Sequence, residues 1–426
     1  MEYFERELIH ELKKWTDRRE ILAIRGPRQS GKTTLLEMLK EWLIREKGVH
    51  EENIVFLTFE DRENLEGFEQ DPKRFIGSFI RNSQRHYFLL DEVHYVKDCG
   101  QKLKLIYDLF KNVKLVITGS SSLELTSATA RFLVGRVFSF ELLPMNFHEF
   151  LMAKDRRMAK AHEEWNSVIK KLISEGRDFR PEKDIFLKDL LRLLGEFLVF
   201  GGYPAVVKAE SEEEKKIVLK GIYNTYIEKD IISFLKIDDS VRFKKLVSAL
   251  SSMTGKMVKY ETLTAIASSY FKEITKWVDI LEQTYIIRMV RPFHRNLVTE
   301  LRKNPKVYFI DPGLRNYAIN DFSPLNSRSD RGELAENFVL NQLRLENINY
   351  WRTAGKAEVD FIAAIGKKIL PIEVKFEEMR KETVPKGLQS FISTYSPEFA
   401  IVATKDFFGE RGLNNTKAKF IPLVYF

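Results

Sequence analysis

The sequence predicts an α/β protein built on a parallel sheet with helices on both faces, and three observations carry that expectation. The stretch Gly26-Pro27-Arg28-Gln29-Ser30-Gly31-Lys32-Thr33 fits G-x-x-x-x-G-K-[ST] without a mismatch. It lies between the apolar run Ile21-Leu22-Ala23-Ile24 and the helical run Thr34-Leu35-Leu36-Glu37-Met38-Leu39-Lys40, a strand–loop–helix context. A second apolar run, His86-Tyr87-Phe88-Leu89-Leu90, ends in the acids Asp91 and Glu92. Further apolar runs alternate with helical stretches, the pattern of a sheet buried on both sides.

Each element has its own rationale. Glycines in the loop let backbone N–H groups close around phosphate oxygens, and the helix start adds positive potential for an anion. Gly26 through Thr34 are therefore the candidate nucleotide-binding residues, with Lys32 reaching the β- and γ-phosphates and Thr33 ligating Mg²⁺. Asn53 through Phe59 reads as a second strand, followed by a helical stretch around Phe75-Ile80. Asp91 is expected to hold Mg²⁺ through water, and Glu92 to activate the attacking water. The run Lys114-Leu115-Val116-Ile117-Thr118 is a fourth strand with a polar end, where Thr118 or Ser120 is the candidate γ-phosphate sensor. Beyond it come Arg131 and Arg136. Arg136 is the preferred arginine finger for a neighbouring copy's nucleotide, because it adjoins the β-like run Val137-Phe138-Ser139-Phe140. Ligands of such a sheet bind at the carboxyl ends of its strands, where these motifs sit.

Together with Leu-Leu-Asp-Glu-Val-His, Thr-Gly-Ser-Ser-Ser, Val-Gly-Arg-Val, Leu142 through Phe150, and Gly201-Gly202-Tyr203-Pro204, the loop resembles one family over most of the chain. It is that of the AAA+ superfamily ATPases of archaea and bacteria that carry a C-terminal domain of unknown function. The resemblance implies ATP hydrolysis with ATP and Mg²⁺, and assembly of several copies.

Composition bounds the rest. At 426 residues the chain has room for several domains, expected here as an ATPase core (1–150), a helical connector (151–235), a winged helix (236–312) and a small C-terminal domain (325–426). No apolar run approaches the roughly 20 residues that cross a bilayer. The start Met1-Glu2-Tyr3-Phe4-Glu5-Arg6 is unlike a secretion signal, so a cytoplasmic protein without membrane partners is expected. The single cysteine, Cys99, excludes an internal disulfide and a Cys-based zinc site.

The net charge of +8 is concentrated: residues 241–310 hold thirteen Lys/Arg against five Asp/Glu. That points to a polyanion, with duplex or branched DNA the expected partner. Leu263, Ile266, Ala267 and Tyr270 are expected on one helix face, and Ile274, Trp277, Val278 and Leu281 on another. Two β-like runs, Tyr285-Val290 and Lys306-Ile310, follow around a basic loop, giving a winged helix. Its candidate DNA contacts are Lys272, Lys276, Arg295, Arg302 and Lys303.

In the C-terminal block, a two-residue turn at Gly366-Lys367 places Asp360 opposite Glu373, with Lys375 on the face of Glu373. Glu336 on the preceding helix is a further acid. This set resembles the restriction-endonuclease-like fold, whose D…E-x-K carboxylates hold Mg²⁺ while the lysine polarises the phosphate. Three functions are therefore in view: an ATP-driven DNA-remodelling machine, a nucleotide switch controlling assembly, and an ATP-gated metal-dependent nuclease.

Overall fold

A computed structural model describes residues 3–119, 133–180, 182, 184–231, 239–293, 304–345, 347–366 and 368–426. The chain separates into two compact units, one running to Met145 and including Gln283–Tyr285, the other holding the remainder. Apart from Gln283–Tyr285, the segments expected as connector, winged helix and C-terminal domain fall in the second unit.

In the first unit, strands β1 (Ile21–Arg25), β2 (Ile54–Thr58), β3 (His86–Asp91), β4 (Val113–Gly119) and β5 (Val137–Glu141) form a parallel sheet in the order β2-β3-β4-β1-β5. Alternation along β1 sends Ile21 and Ala23 to one face and Leu22 and Ile24 to the other. The first face packs on α3 (Arg62–Gln70), α4 (Pro72–Ser78) and α5 (Cys99–Leu109) through Phe68, Ile76, Leu103 and Ile106. The second packs on α1 (Leu8–Trp15) and α2 (Lys32–Arg45) through Leu12, Leu35, Leu36 and Leu39. Near-continuous apolar strands are the result of being covered twice.

The second unit begins with the helices α6 (Phe147–Lys154), α7 (Arg156–Glu175), α8 (Leu187–Phe200), α9 (Pro204–Lys208) and α10 (Glu212–Tyr223). The Gly201-Gly202-Tyr203 turn joins α8 to α9, and the Asp311 carboxylate accepts from Gly202 N at 2.8 Å. Gly313 must lack a side chain, since a Cβ there would lie 2.0 Å from Phe200 O.

Next come α11 (Ser240–Ser252), α12 (Tyr260–Ala267) and α13 (Phe271–Gln283), with the antiparallel strands β6 (Ile287–Pro292) and β7 (Lys306–Phe309). These helices and strands share one core, with Leu263, Ile274, Trp277, Val278 and Leu281 all buried in it. The expected α13 face is therefore the buried one. The expected α12 face is only half right: Leu263 and Ala267 are buried, but Ile266 and Tyr270 are 44% and 63% exposed. The helix stops early, at Ser268, which turns left-handed (φ 51°), so Tyr270 never joins the α12 stripe.

A larger sheet ends the chain, ordered β12-β13-β11-β10-β9-β8-β6-β7. Its further strands are β8 (Ile348–Arg352), β9 (Glu358–Ile365), β10 (Lys368–Lys375), β11 (Phe399–Thr404), β12 (Gly409–Leu413) and β13 (Thr416–Pro422). Helices α14 (Pro312–Ala318), α15 (Arg331–Leu343) and α16 (Lys386–Tyr395) complete the unit. Parallel pairing of β6 with β8, Arg291 to Asn349, carries the hairpin into this sheet, which is why no boundary separates it from the C-terminal block.

A buried ion network stands between α14 and α15. Asp330 receives Arg315 at 2.5 Å and both Nε and Nη2 of Arg328 at 2.8 Å. Burial raises the Asp330 pKa, but the Arg328 and Arg315 guanidinium groups outweigh it and bring it down to about 2. Because the folded value lies below the unfolded one, this pairing stabilises fully above pH ~4 and fades as pH falls toward 2. Thermal unfolding followed between pH 5 and pH 2 should show the midpoint dropping, with a shallower slope in Asp330→Asn.

Candidate nucleotide-binding site

The site is assembled at the carboxyl ends of β1, β3 and β4. Because β4 lies between β1 and β3, Thr118 is set between the loop after β1 and the acids after β3. Gly26 leaves β1 so close to the chain after β5 that a Cβ would lie 2.1 Å from Leu142 O. The loop is further clasped by Arg6, buried, whose guanidinium donates to Ser30 O at 2.6 Å and Leu143 O at 2.7 Å. Nothing in the sequence pattern singles out Arg6.

Lys32 opens α2 and is buried. Its ammonium donates to Gly26 O at 3.3 Å and Pro27 O at 3.1 Å, folding back on the loop, and lies 3.7 Å from Glu92 Oε1. Burial lowers its pKa, with the Glu92 and Asp91 charges acting against that effect. Thr33 Oγ1 donates to Asp91 Oδ2 at 2.7 Å, and the Thr118 hydroxyl donates to Asp91 Oδ1. Burial raises the Asp91 pKa, and the hydroxyls of Thr118 and Thr33 act in the opposite direction.

Glu92 follows the strand in a left-handed conformation (φ 53°, ψ 47°), an arrangement that costs a non-glycine residue about 1–3 kcal/mol. Its N–H donates to Thr118 Oγ1 at 2.9 Å. Its Oε2 lies 2.9 Å from His94 Nδ1, within ion-pairing reach of that imidazole when it is protonated. Burial pushes the Glu92 pKa up, but the neighbouring His94 imidazole and the Lys32 charge overcome it, leaving the carboxyl below its usual range. His94 itself stacks on Tyr95, ring centroids 4.3 Å apart. In sequence the only signal for His94 is its place in Leu-Leu-Asp-Glu-Val-His, two residues beyond Glu92.

The residues fit a nucleotide and its divalent cation. The loop end of α2 has no side-chain cap, and the Ser30 hydroxyl is buried without a hydrogen-bond partner, so donors are left for phosphate oxygens. Thr33 and Asp91 offer adjoining hard oxygen donors, the type Mg²⁺ takes.

Other expected residues lie elsewhere. Arg136 precedes β5, its carbonyl accepting from Ile21 N, so it sits at the opposite end of the sheet from the loop. Its guanidinium pairs with Asp108 at 3.4 Å. Ser120 and Arg131, and likewise Arg295, Arg302 and Lys303, lie outside the described residues. Lys272 and Lys276 are exposed on α13.

In the C-terminal sheet the register Ile372 to Phe361 sets the next pair, Asp360 and Glu373, opposite each other. Asp360 Oδ2 accepts from Val374 N at 2.8 Å, and Lys375 Nζ lies 2.7 Å from Glu373 Oε1. Glu336 is close by, but so is Lys306, whose ammonium lies 3.7 Å from both Glu336 and Asp360. Among the described residues, no three acids, histidines or cysteines are grouped so that they could hold a metal ion.

Residues 18–151, which hold most of the first unit, match the family model described as an AAA domain. Residues 191–325 and 331–423 match two further models, each described as a domain of unknown function (DUF8612 and DUF4143). An uncharacterized protein of Haemophilus influenzae is 28% identical over 378 residues, 87% of this chain and 86% of that one. One from Methanocaldococcus jannaschii is 26% identical over 386 residues, 88% of this chain and 79% of that one. The ADP form of the Aeropyrum pernix ORC2 protein aligns with 66% of this chain and 85% of that one at 11% identity, with a TM-score of 0.33. Among the described residues no helix is long and apolar enough to cross a membrane.

Thr118→Val keeps the shape but orphans Glu92 N–H and one Asp91 oxygen. Denaturant unfolding should show a loss of about 1–3 kcal/mol, with Thr118→Ser recovering most of it.

Proposed function

We propose that this chain is a cytoplasmic, ATP-hydrolysing AAA+ protein that binds and remodels duplex or branched DNA as a homo-oligomer. The observation that carries the hydrolytic half is the position of Glu92, a buried ionised carboxylate next to the Lys32 ammonium and the Asp91–Thr33 pair.

Each residue then has a task. Lys32 leaves the Gly26 and Pro27 carbonyls for the β- and γ-phosphate oxygens, releasing Glu92. Freed of the ammonium, Glu92 accepts the proton of the attacking water. His94 keeps hold of one carboxylate oxygen, which fixes the direction of the other. Thr118 holds the backbone of Glu92 and the side chain of Asp91 in one register. Mg²⁺, held through Thr33 and Asp91, would supply charge neutralisation on the phosphate oxygens. Arg136, far from its own loop, would serve a neighbouring copy's nucleotide, and Ser120 would join Thr118 in sensing the γ-phosphate.

The DNA half rests on α13. Its apolar face is buried and its Lys272 and Lys276 are exposed, the division a groove-entering helix needs. With α11, α12 and the strands β6 and β7 it is read as a winged helix, and Arg295, Arg302 and Lys303, between those strands in sequence, are further proposed contacts.

In an ATPase assay Lys32→Ala should abolish turnover. Glu92→Gln should retain nucleotide while losing on the order of 10²–10⁴-fold in rate. His94→Ala should lower kcat about 10–100-fold at nearly constant KM, by letting Glu92 wander. Normal hydrolysis in Glu92→Gln would refute the assignment.

DNA binding should stimulate turnover and weaken steeply with salt, about 0.9 logarithmic units per phosphate contact and tenfold in salt for B-form DNA. Lys272→Ala with Lys276→Ala should flatten that slope by about two contacts. An ATPase rate indifferent to duplex, single-stranded and branched DNA, with no binding at moderate salt, would favour a nucleotide switch acting on protein assembly instead.

A further inference from the structure

The acids of the C-terminal sheet are already supplied with a cation. Lys306, the first residue of β7, is 3% exposed, and its ammonium lies 2.6 Å from Glu358 Oε1, 3.7 Å from Asp360 Oδ1 and 3.7 Å from Glu336 Oε2. Tyr308, two residues along the same strand, donates its hydroxyl to Glu336 at 3.2 Å. Arg352 approaches Glu358 from the other side at 3.1 Å. The remaining acid, Glu373, has Lys375.

A divalent ion needs carboxylate oxygens free to converge on it at about 2.0–2.6 Å. Here the oxygens are engaged. One of Asp360 accepts from the Val374 backbone, one of Glu336 from Tyr308, and the space between Glu336, Glu358 and Asp360 holds an ammonium. An ion entering that space would meet the positive charge of Lys306, which is buried. Three cations, Lys306, Arg352 and Lys375, thus already stand among the four acids.

We infer that Lys306 takes the place of a divalent cation in this cluster, so that Asp360, Glu358 and Glu336 form an ion lock between the β6–β7 hairpin, strand β9 and α15, and the Asp360, Glu373 and Lys375 pattern does not cleave phosphodiesters through a metal. The ammonium is covalently part of β7, which gives the lock a consequence a free ion would not have: the hairpin is tied to the acids it neutralises. The inference is independent of ATP hydrolysis, and the nucleotide-free chain tests it alone.

Mn²⁺ binding is measured on the nucleotide-free full chain from the loss of the free-ion EPR signal, alongside Mg²⁺- and Mn²⁺-dependent DNA cleavage. Wild type and the double variant Asp360→Asn with Glu373→Gln should bind equal amounts of Mn²⁺, and neither should cleave. Lys306→Met removes the ammonium and leaves three acids facing one another. Its thermal midpoint should fall in EDTA and recover by several degrees in Mn²⁺, a response wild type lacks. A Mn²⁺ ion held by wild type and lost in the double variant overturns the inference, as does metal-dependent cleavage lost in that variant. A folded Lys306→Met that gains nothing from Mn²⁺ overturns it too; if Lys306→Met does not fold, the comparison of wild type with the double variant decides.

Discussion

A buried carboxylate that must be given partners governs the first unit. Asp91 is 3% exposed, and leaving such a group unbonded would cost several kcal/mol, on the order of its desolvation. Its two oxygens take one hydroxyl each, from Thr33 on α2 and Thr118 on β4. Three elements distant in sequence are thereby held at one point. The same Thr118 oxygen accepts the Glu92 N–H, so the left-handed turn that aims Glu92 follows from the burial of its neighbour. Lys32, His94 and Arg6 then act on a frame already fixed.

Positive charge in this protein is often structural. Lys306 is enclosed by acids, Arg315 and Arg328 share Asp330, and Lys419, 1% exposed, meets Asp178 at 2.6 Å. Of the basic segment 241–310, Lys306 is spent inside the fold, Lys256 pairs with Glu333, and Arg242 pairs with Asp239. A net charge of +8 therefore overstates the surface offered to a polyanion. Of the expected contacts, those among the described residues are Lys272 and Lys276, held outward because the opposite face of α13 is packed. Buried cations of this kind trade desolvation for hydrogen-bonded pairing, and removing one partner is costlier than the pair is worth.

Much of the parallel sheet was legible because its signals are local. Each strand announces itself by an apolar run, and β1, β3 and β4 each end in the residues that matter at the site. The register of β9 and β10 was equally legible, since a two-residue turn at Gly366 leaves only one pairing for Asp360 and Glu373. Periodicity also found the buried face of α13, but it overran α12, where a left-handed Ser268 ended the helix before Tyr270. The failure is one of boundary, not of pattern, and boundaries depend on single dihedral angles that periodicity does not see.

By itself, then, the sequence determined the phosphate-binding loop, the acids that face it, and the local pairing of the C-terminal hairpin, because each is written within a few residues or in one strand's alternation. Only the tertiary structure decided what those groups meet: Arg6 on the loop, His94 on Glu92, Arg136 at the far end of the sheet, and Lys306 among the acids of β9 and α15. The physical reason is distance along the chain. Lys306 reaches Asp360 across more than fifty residues, and that meeting exists only once β6 has paired with β8 and the sheet has closed around it.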